Sequence, residues 1–139
     1  MLLYQVLHIF FWIFHLFVTL FNLLGWVHPK TRRANAALLT LTLISWVGLG
    51  YFYGWGYCIL TDWHWQVMVK LGMTGLPNSY IKYMIDTLTG LDAGPAAVET
   101  GTLVGMILAV IGSALTNYLD WRKKSRPGHL DEAGPEPRP

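Results

Sequence analysis

The chain predicts an all-α membrane fold, a bundle of three transmembrane helices with short amphipathic helices capping its outer face. Three observations predict it. Charged residues make up 13% of the 139 and hydrophobic ones 53%, where soluble domains carry roughly 25% charged residues. Three stretches, 4–27, 34–57 and 96–119, hold a single charged residue between them, Glu99. At about 1.5 Å per residue each reaches across a hydrocarbon core of about 30 Å. The stretch 58–95 differs, with charges of both signs, Gly and Pro punctuation and no apolar run long enough to span. Residues 1–121 thus read as one membrane domain, and 122–139 as a basic, proline-rich, disordered tail.

The first span, 4–27, is rich in Leu, Ile, Val and Phe, and its few polar residues are ordered. His8, His15 and Asn22 recur every seven residues, with Gln5 and Thr19 three and four residues away from their neighbours in the row. On a helix these five share one face. Polar groups facing lipid are costly, so the stripe should point at protein or water. The basic region that opens a cleaved signal peptide is missing, and the apolar run is too long for one. Pro29 ends the helix in the turn 28–33.

The second span, 34–57, ends in Gly and aromatic residues suited to the membrane interface. Beyond it the pattern predicts a short helix from Asp62 to Leu71, capped by Thr61 or Asp62 and ended by Gly72. Another should start after Pro77-Asn78-Ser79, cover Tyr80 to Thr89 and end at Gly90. Pro95 suits the first turn of the last span. That span carries Gly101, Gly105, Ala109 and Ser113, a small residue at every fourth position, and Gly50 and Gly54 repeat the spacing in the second. Such rows let backbones approach closely, within the bundle or against a second copy.

Eight of the ten Lys and Arg lie in the turn at 30–33 and after residue 121; only Lys70 and Lys82 lie between. The positive-inside rule then puts the turn and tail in the cytoplasm and the N-terminus outside. The basic clusters flank apolar spans, which argues against nucleic-acid binding. Cys58 is the only cysteine, which excludes an intramolecular disulfide and a thiolate metal cluster.

Candidate chemistry gathers in two places. By depth, His15 should bond Ser45 or Thr42, and Asn22 should bond Asn117. One haem iron cannot take both His8 and His15, which stand about 10.5 Å apart along one helix. A metal shared by His8 and His64 rests on depth alone, so no metal and no cofactor are predicted. The second place is the aromatic segment 54–65, which offers Cys58, Asp62 and His64. A nucleophile, an acid and a base can be drawn from it, whereas an interfacial anchor needs only the helix cap.

The order of features resembles an uncharacterised bacterial family of small integral membrane proteins, a domain of unknown function. The resemblance rests on His15, on Trp46 with Gly48, on Gly56-Tyr57-Cys58-Ile59-Leu60-Thr61, and on Tyr80-Ile81-Lys82-Tyr83. Ile59 stands where the family has proline. The resemblance implies the architecture and no reaction. Small size and close-packing glycines favour a non-catalytic accessory or scaffold subunit that binds lipid, another membrane protein or a second copy of itself. The competing expectation is a small membrane enzyme or redox subunit using His15, Cys58, Asp62 and His64.

Overall fold

The computed structural model describes residues 1–125, which contain helices and no strand. Helix α1 covers Leu2–Leu24. Helix α2, Arg32–Leu43, continues through a π-helical segment, Ile44–Leu49, into the single turn α3, Gly50–Tyr53. Helices α4, Ile59–Lys70, and α5, Tyr80–Thr89, precede α6, Pro95–Lys124. Three helical rods are long and apolar enough to cross a membrane: Leu2–Leu24, Arg32–Tyr53 and Pro95–Lys124.

Several ends differ from the predicted ones, each for a local reason. The first helix ends at Leu24; Gly25 keeps right-handed helical angles, its amide bonds the Phe21 carbonyl at 2.8 Å, and the chain turns beyond it. The second rod stops at Tyr53, four residues early, because Gly54 takes φ 109, a conformation closed to most L residues. The loop folds back on the π segment, with Ser45 Oγ donating to the Tyr57 carbonyl at 3.0 Å. Helix α4 starts at Ile59 with Cys58 in the extended N-cap position and no side-chain cap bond. Thr61 and Asp62 are therefore not the cap. They lie inside the helix, where the Asp62 carboxylate still faces the positive end of the dipole.

Ser79 caps α5 by accepting from the Lys82 amide, and Gly90 closes it at φ 72. The last helix runs five residues past the predicted end of its span, to Lys124. Arg122, Lys123 and Lys124 were expected in the disordered tail. They form a last helical turn instead, where cations meet the negative end of the dipole. The rest of the expected tail, 126–139, lies outside the described residues.

Helix α1 is the hub, packing on α4, α6 and α2. Val6, Phe10, Ile13, Phe17, Leu20 and Leu24 form an exposed row along it, while His15 and Asn22 on the opposite face are buried. That is the arrangement a bilayer requires, with the apolar face outward and the polar groups inside. The interior is correspondingly polar: His15, Asn22, Asn35, His64 and Ser113 are buried among Leu39, Met68, Tyr80, Met84 and Ala109.

Each end of the bundle carries one ion-paired clamp. At the α1–α2 turn, Arg32 Nη1 lies 2.9 Å from both carboxylate oxygens of Asp120, and Arg32 Nε donates to the Trp26 carbonyl at 3.1 Å. At the other end, Lys82 bonds the carboxylates of Asp86 and Asp92 and the Ala93 carbonyl. This fastens α5 to the start of α6. These bonds raise the Lys82 pKa, and the Lys82 bond, with help from the Ala93 amide, lowers that of Asp86.

The small-residue rows divide. Ala109 and Ser113 are buried, a Cβ on Gly105 would lie 3.2 Å from Leu23 Cδ2, and one on Gly50 would lie 3.4 Å from the Trp55 backbone. Gly54 and Gly101 would meet nothing within 4 Å, so neither marks a close approach within this chain. The tightest contact on α6 is at Gly112, where a Cβ would sit 2.8 Å from the Trp26 ring.

Candidate functional site

The strongest cluster of polar chemistry lies where α4 and α5 meet the first turns of α1. His64 is wholly buried, and both of its ring nitrogens are engaged. Nε2 lies 2.8 Å from His8 Nδ1, and Nδ1 lies 2.9 Å from the Tyr80 hydroxyl. Phe11 and Trp65 pack around the His64 ring. His15 stacks on the Tyr80 ring at a centroid distance of 3.8 Å and an interplanar angle of 14°.

Proton positions follow from satisfying every donor. If His8 donated to His64, His64 would donate to Tyr80, and the buried Tyr80 hydroxyl would be left without an acceptor. The opposite order leaves no such orphan. The Tyr80 hydroxyl donates to His64 Nδ1, His64 Nε2–H donates to His8 Nδ1, and His8 keeps its proton on Nε2 at the half-buried edge of its ring. A shallow groove of about 340 Å³, lined by His8, Trp12, Tyr83 and Thr87 among others, opens there.

Burial, reinforced by His8 and His15, holds the His64 pKa at about 4 against an ordinary 6.5. Burial, with Tyr83 and Cys58 nearby, raises that of Tyr80. An imidazole whose pKa falls on folding contributes stability above its unfolded value, and that contribution is lost as pH drops toward the folded value. Stability should therefore decline from about pH 6.5 to about pH 4 and level off below. Denaturant midpoints measured across this range check it, and His64→Gln should remove that share of the slope.

The remaining expected partners are rearranged. His15 bonds neither Ser45 nor Thr42; Ser45 is taken by the Tyr57 carbonyl, and His15 Nδ1 has no partner. Asn22 donates to Thr42 Oγ1 at 2.9 Å rather than pairing with Asn117, whose amide reaches the Ser113 carbonyl at 2.8 Å and the Arg32 carbonyl at 3.3 Å. Gln5 is exposed and Thr19 half-buried. Asp62 accepts from Gln66 at 2.9 Å, and Cys58 is half-buried at the start of α4. Cys58 precedes the helix as its extended N-cap, six residues before His64. His64 gives both its nitrogens to His8 and Tyr80, so the Cys58, Asp62 and His64 set is not assembled as a nucleophile with its base.

Two members of the polar interior escaped the sequence reading. Asn35 is completely buried and donates to the Phe21 carbonyl at 2.7 Å. It precedes Thr42 by seven residues, the same spacing that marked the stripe on α1. Tyr80 sits four residues from the buried Met84, a one-turn signal too short to separate core from surface. Among the described residues, no group of three or more His, Cys, Asp or Glu side chains gathers as metal ligands would.

Comparison with known proteins places the chain in a family. The model of a family described as "Protein of Unknown function (DUF2784)" matches residues 5–119. No curated protein and no solved structure matches the chain.

Proposed function

We propose that this chain, which belongs to the DUF2784 family, is a non-catalytic accessory or scaffold subunit that binds another membrane protein or lipid. The observation that carries this reading is the use made of the polar residues. His8, His64 and Tyr80 bond one another and tie α4 and α5 to α1, while Asn22, Asn35 and Thr42 tie α1 to α2. In the segment 54–65, Asp62 accepts from Gln66 while His64 bonds His8 and Tyr80. What the bundle offers outward is apolar surface on all three spans, including Phe10 and Phe17 on α1, Leu41 on α2 and Leu108 on α6.

We place it in a bacterial inner membrane, as the family resemblance implies, with the N-terminus outside on the Lys and Arg distribution. A cysteine introduced at Thr74 should then be labelled from outside, and one at Ser125 should not. Purification in mild detergent with mass spectrometry tests the function. A protein or lipid retained in fixed ratio is the expected result. A stoichiometric redox cofactor, or turnover that depends on Cys58 and Asp62, would overturn it.

A further inference from the structure

The two basic segments of the chain meet at one end of the bundle. Arg32 Nη1 lies 2.9 Å from both carboxylate oxygens of Asp120, and Asn117 Nδ2 donates to the Arg32 carbonyl at 3.3 Å. These bonds set the turn 28–33 against the last turns of α6. Asp120 is the one carboxylate that the described residues place at this end, and Arg32 takes it. Lys30, Arg33, Arg122, Lys123 and Lys124 are exposed and have no ion-pair partner among the described residues. Residues 126–139 add two Arg and three carboxylates by sequence, so the balance remains positive with them counted. We propose that this end of the bundle binds anionic phospholipids, whose phosphate groups pair with these five cations. The inference rests on the accessory reading and names the lipid class for it.

Three observations favour a lipid over a soluble anion or an acidic protein. The cations stand at the ends of the membrane-length apolar rods, the position from which basic clusters draw anionic headgroups. Tyr118 and Trp121 are exposed beside them, and aromatic rings of this kind gather at headgroup depth. Arg122 Cζ lies 6.0 Å from the Tyr118 ring centroid, so this guanidinium is drawn back along α6 toward that depth. The third observation is a shallow groove of about 310 Å³ on α1, lined by Phe17, Leu20, Phe21 and Leu24. Gly25 and Thr31 line it as well, next to Lys30. Its apolar walls suit an acyl chain, with the phosphate of the same lipid at the basic turn.

The opposite end of the bundle differs in sign. It carries Lys70 and Lys82 against Asp62, Asp86, Asp92 and Glu99, and Lys82 is taken by Asp86 and Asp92. Anionic headgroups are therefore drawn to the clamp of Arg32 and Asp120 and not to that of Lys82. Because the five cations are exposed, salt should weaken their hold.

The test places the full chain in phosphatidylcholine vesicles. Electron paramagnetic resonance then reads how much spin-labelled phosphatidylglycerol or spin-labelled phosphatidylcholine the protein immobilises. At low salt phosphatidylglycerol should be preferred by about fivefold or more, the preference that one near-surface charge supports. Lys30→Gln with Arg33→Gln should lower that preference by about twofold or more. So should Arg122→Gln with Lys123→Gln and Lys124→Gln, which gives a second reading if the turn variant fails to accumulate. Lys70→Gln, an exposed cation at the other end, should leave it unchanged. Equal immobilisation of the two probes, or a preference that survives in both charge variants, would overturn the proposal. Displacement of the lipid by inorganic phosphate at matched ionic strength would overturn it too, in favour of a site for the free anion. Equal immobilisation beside a protein retained in fixed ratio on purification would sink this inference and leave the accessory reading standing.

Discussion

Replacing His64 with alanine is expected to destabilise the protein by about 3–5 kcal/mol, the largest loss expected of any polar side chain here. Three effects add. The imidazole is completely buried, so its removal leaves a cavity that packed neighbours fill only in part. The hydroxyl of Tyr80, a residue 4% exposed, loses its acceptor, and an unpaired buried donor costs about 1–3 kcal/mol. His8 Nδ1 loses its donor but lies at a half-buried ring where water can substitute, so its share is smaller. Hydrogen bonds within a bilayer average only about 0.6 kcal/mol. That lower figure governs Asn22 and Thr42, which lie within the spans, more than it governs α4, which is not itself a span. Unfolding in detergent, followed by circular dichroism, reads the loss. His28→Ala, at an exposed turn position, should be silent by the same measure.

The second large effect is expected on α6, where one substitution should act with opposite signs at two glycines. Gly112→Ala places a methyl 2.8 Å from Trp26 Cε2 and 2.9 Å from Cδ2. The indole cannot swing away freely, because its Nε1–H donates to the Leu23 carbonyl at 2.8 Å. Overpacking of this kind costs about 1–3 kcal/mol, partly offset by the roughly 1 kcal/mol that alanine gains over glycine in a helix. Gly112→Leu adds three more carbons to the same gap and should reach about 3 kcal/mol or more. At Gly101, where a Cβ meets nothing within 4 Å, Gly101→Ala should instead be neutral or stabilising by up to about 1 kcal/mol. Thermal midpoints of the variants in one detergent check both. A tolerated Gly112→Leu would mean that Trp26 does not sit on α6.

The sequence shows the architecture more readily than the contacts, for a physical reason. Span length and apolar content are local properties, and so is the seven-residue row of His8, His15 and Asn22 that set the inward face of α1. The limits of α5 were equally local, since Ser79 and Gly90 have the chemistry of a cap and a stop. Partnerships are not local. His8 and His64 are separated by 56 residues and Arg32 and Asp120 by 88, and no spacing in the chain links them. Depth counting paired Asn22 with Asn117 because both lie near the same end of the bundle. It could not know that Thr42 faces Asn22 more directly. Gly112 was missed because it stands one residue off the row of small residues, in register with an indole rather than with another backbone.

The central claim is that the His8–His64–Tyr80 chain fastens the cap helices to α1. A double-mutant cycle on His8→Ala and His64→Ala, by unfolding in detergent, tests it most directly. If the two rings bond each other, the double variant loses less stability than the sum of the singles, with a coupling of about 0.5–3 kcal/mol. Losses that simply add would contradict the account.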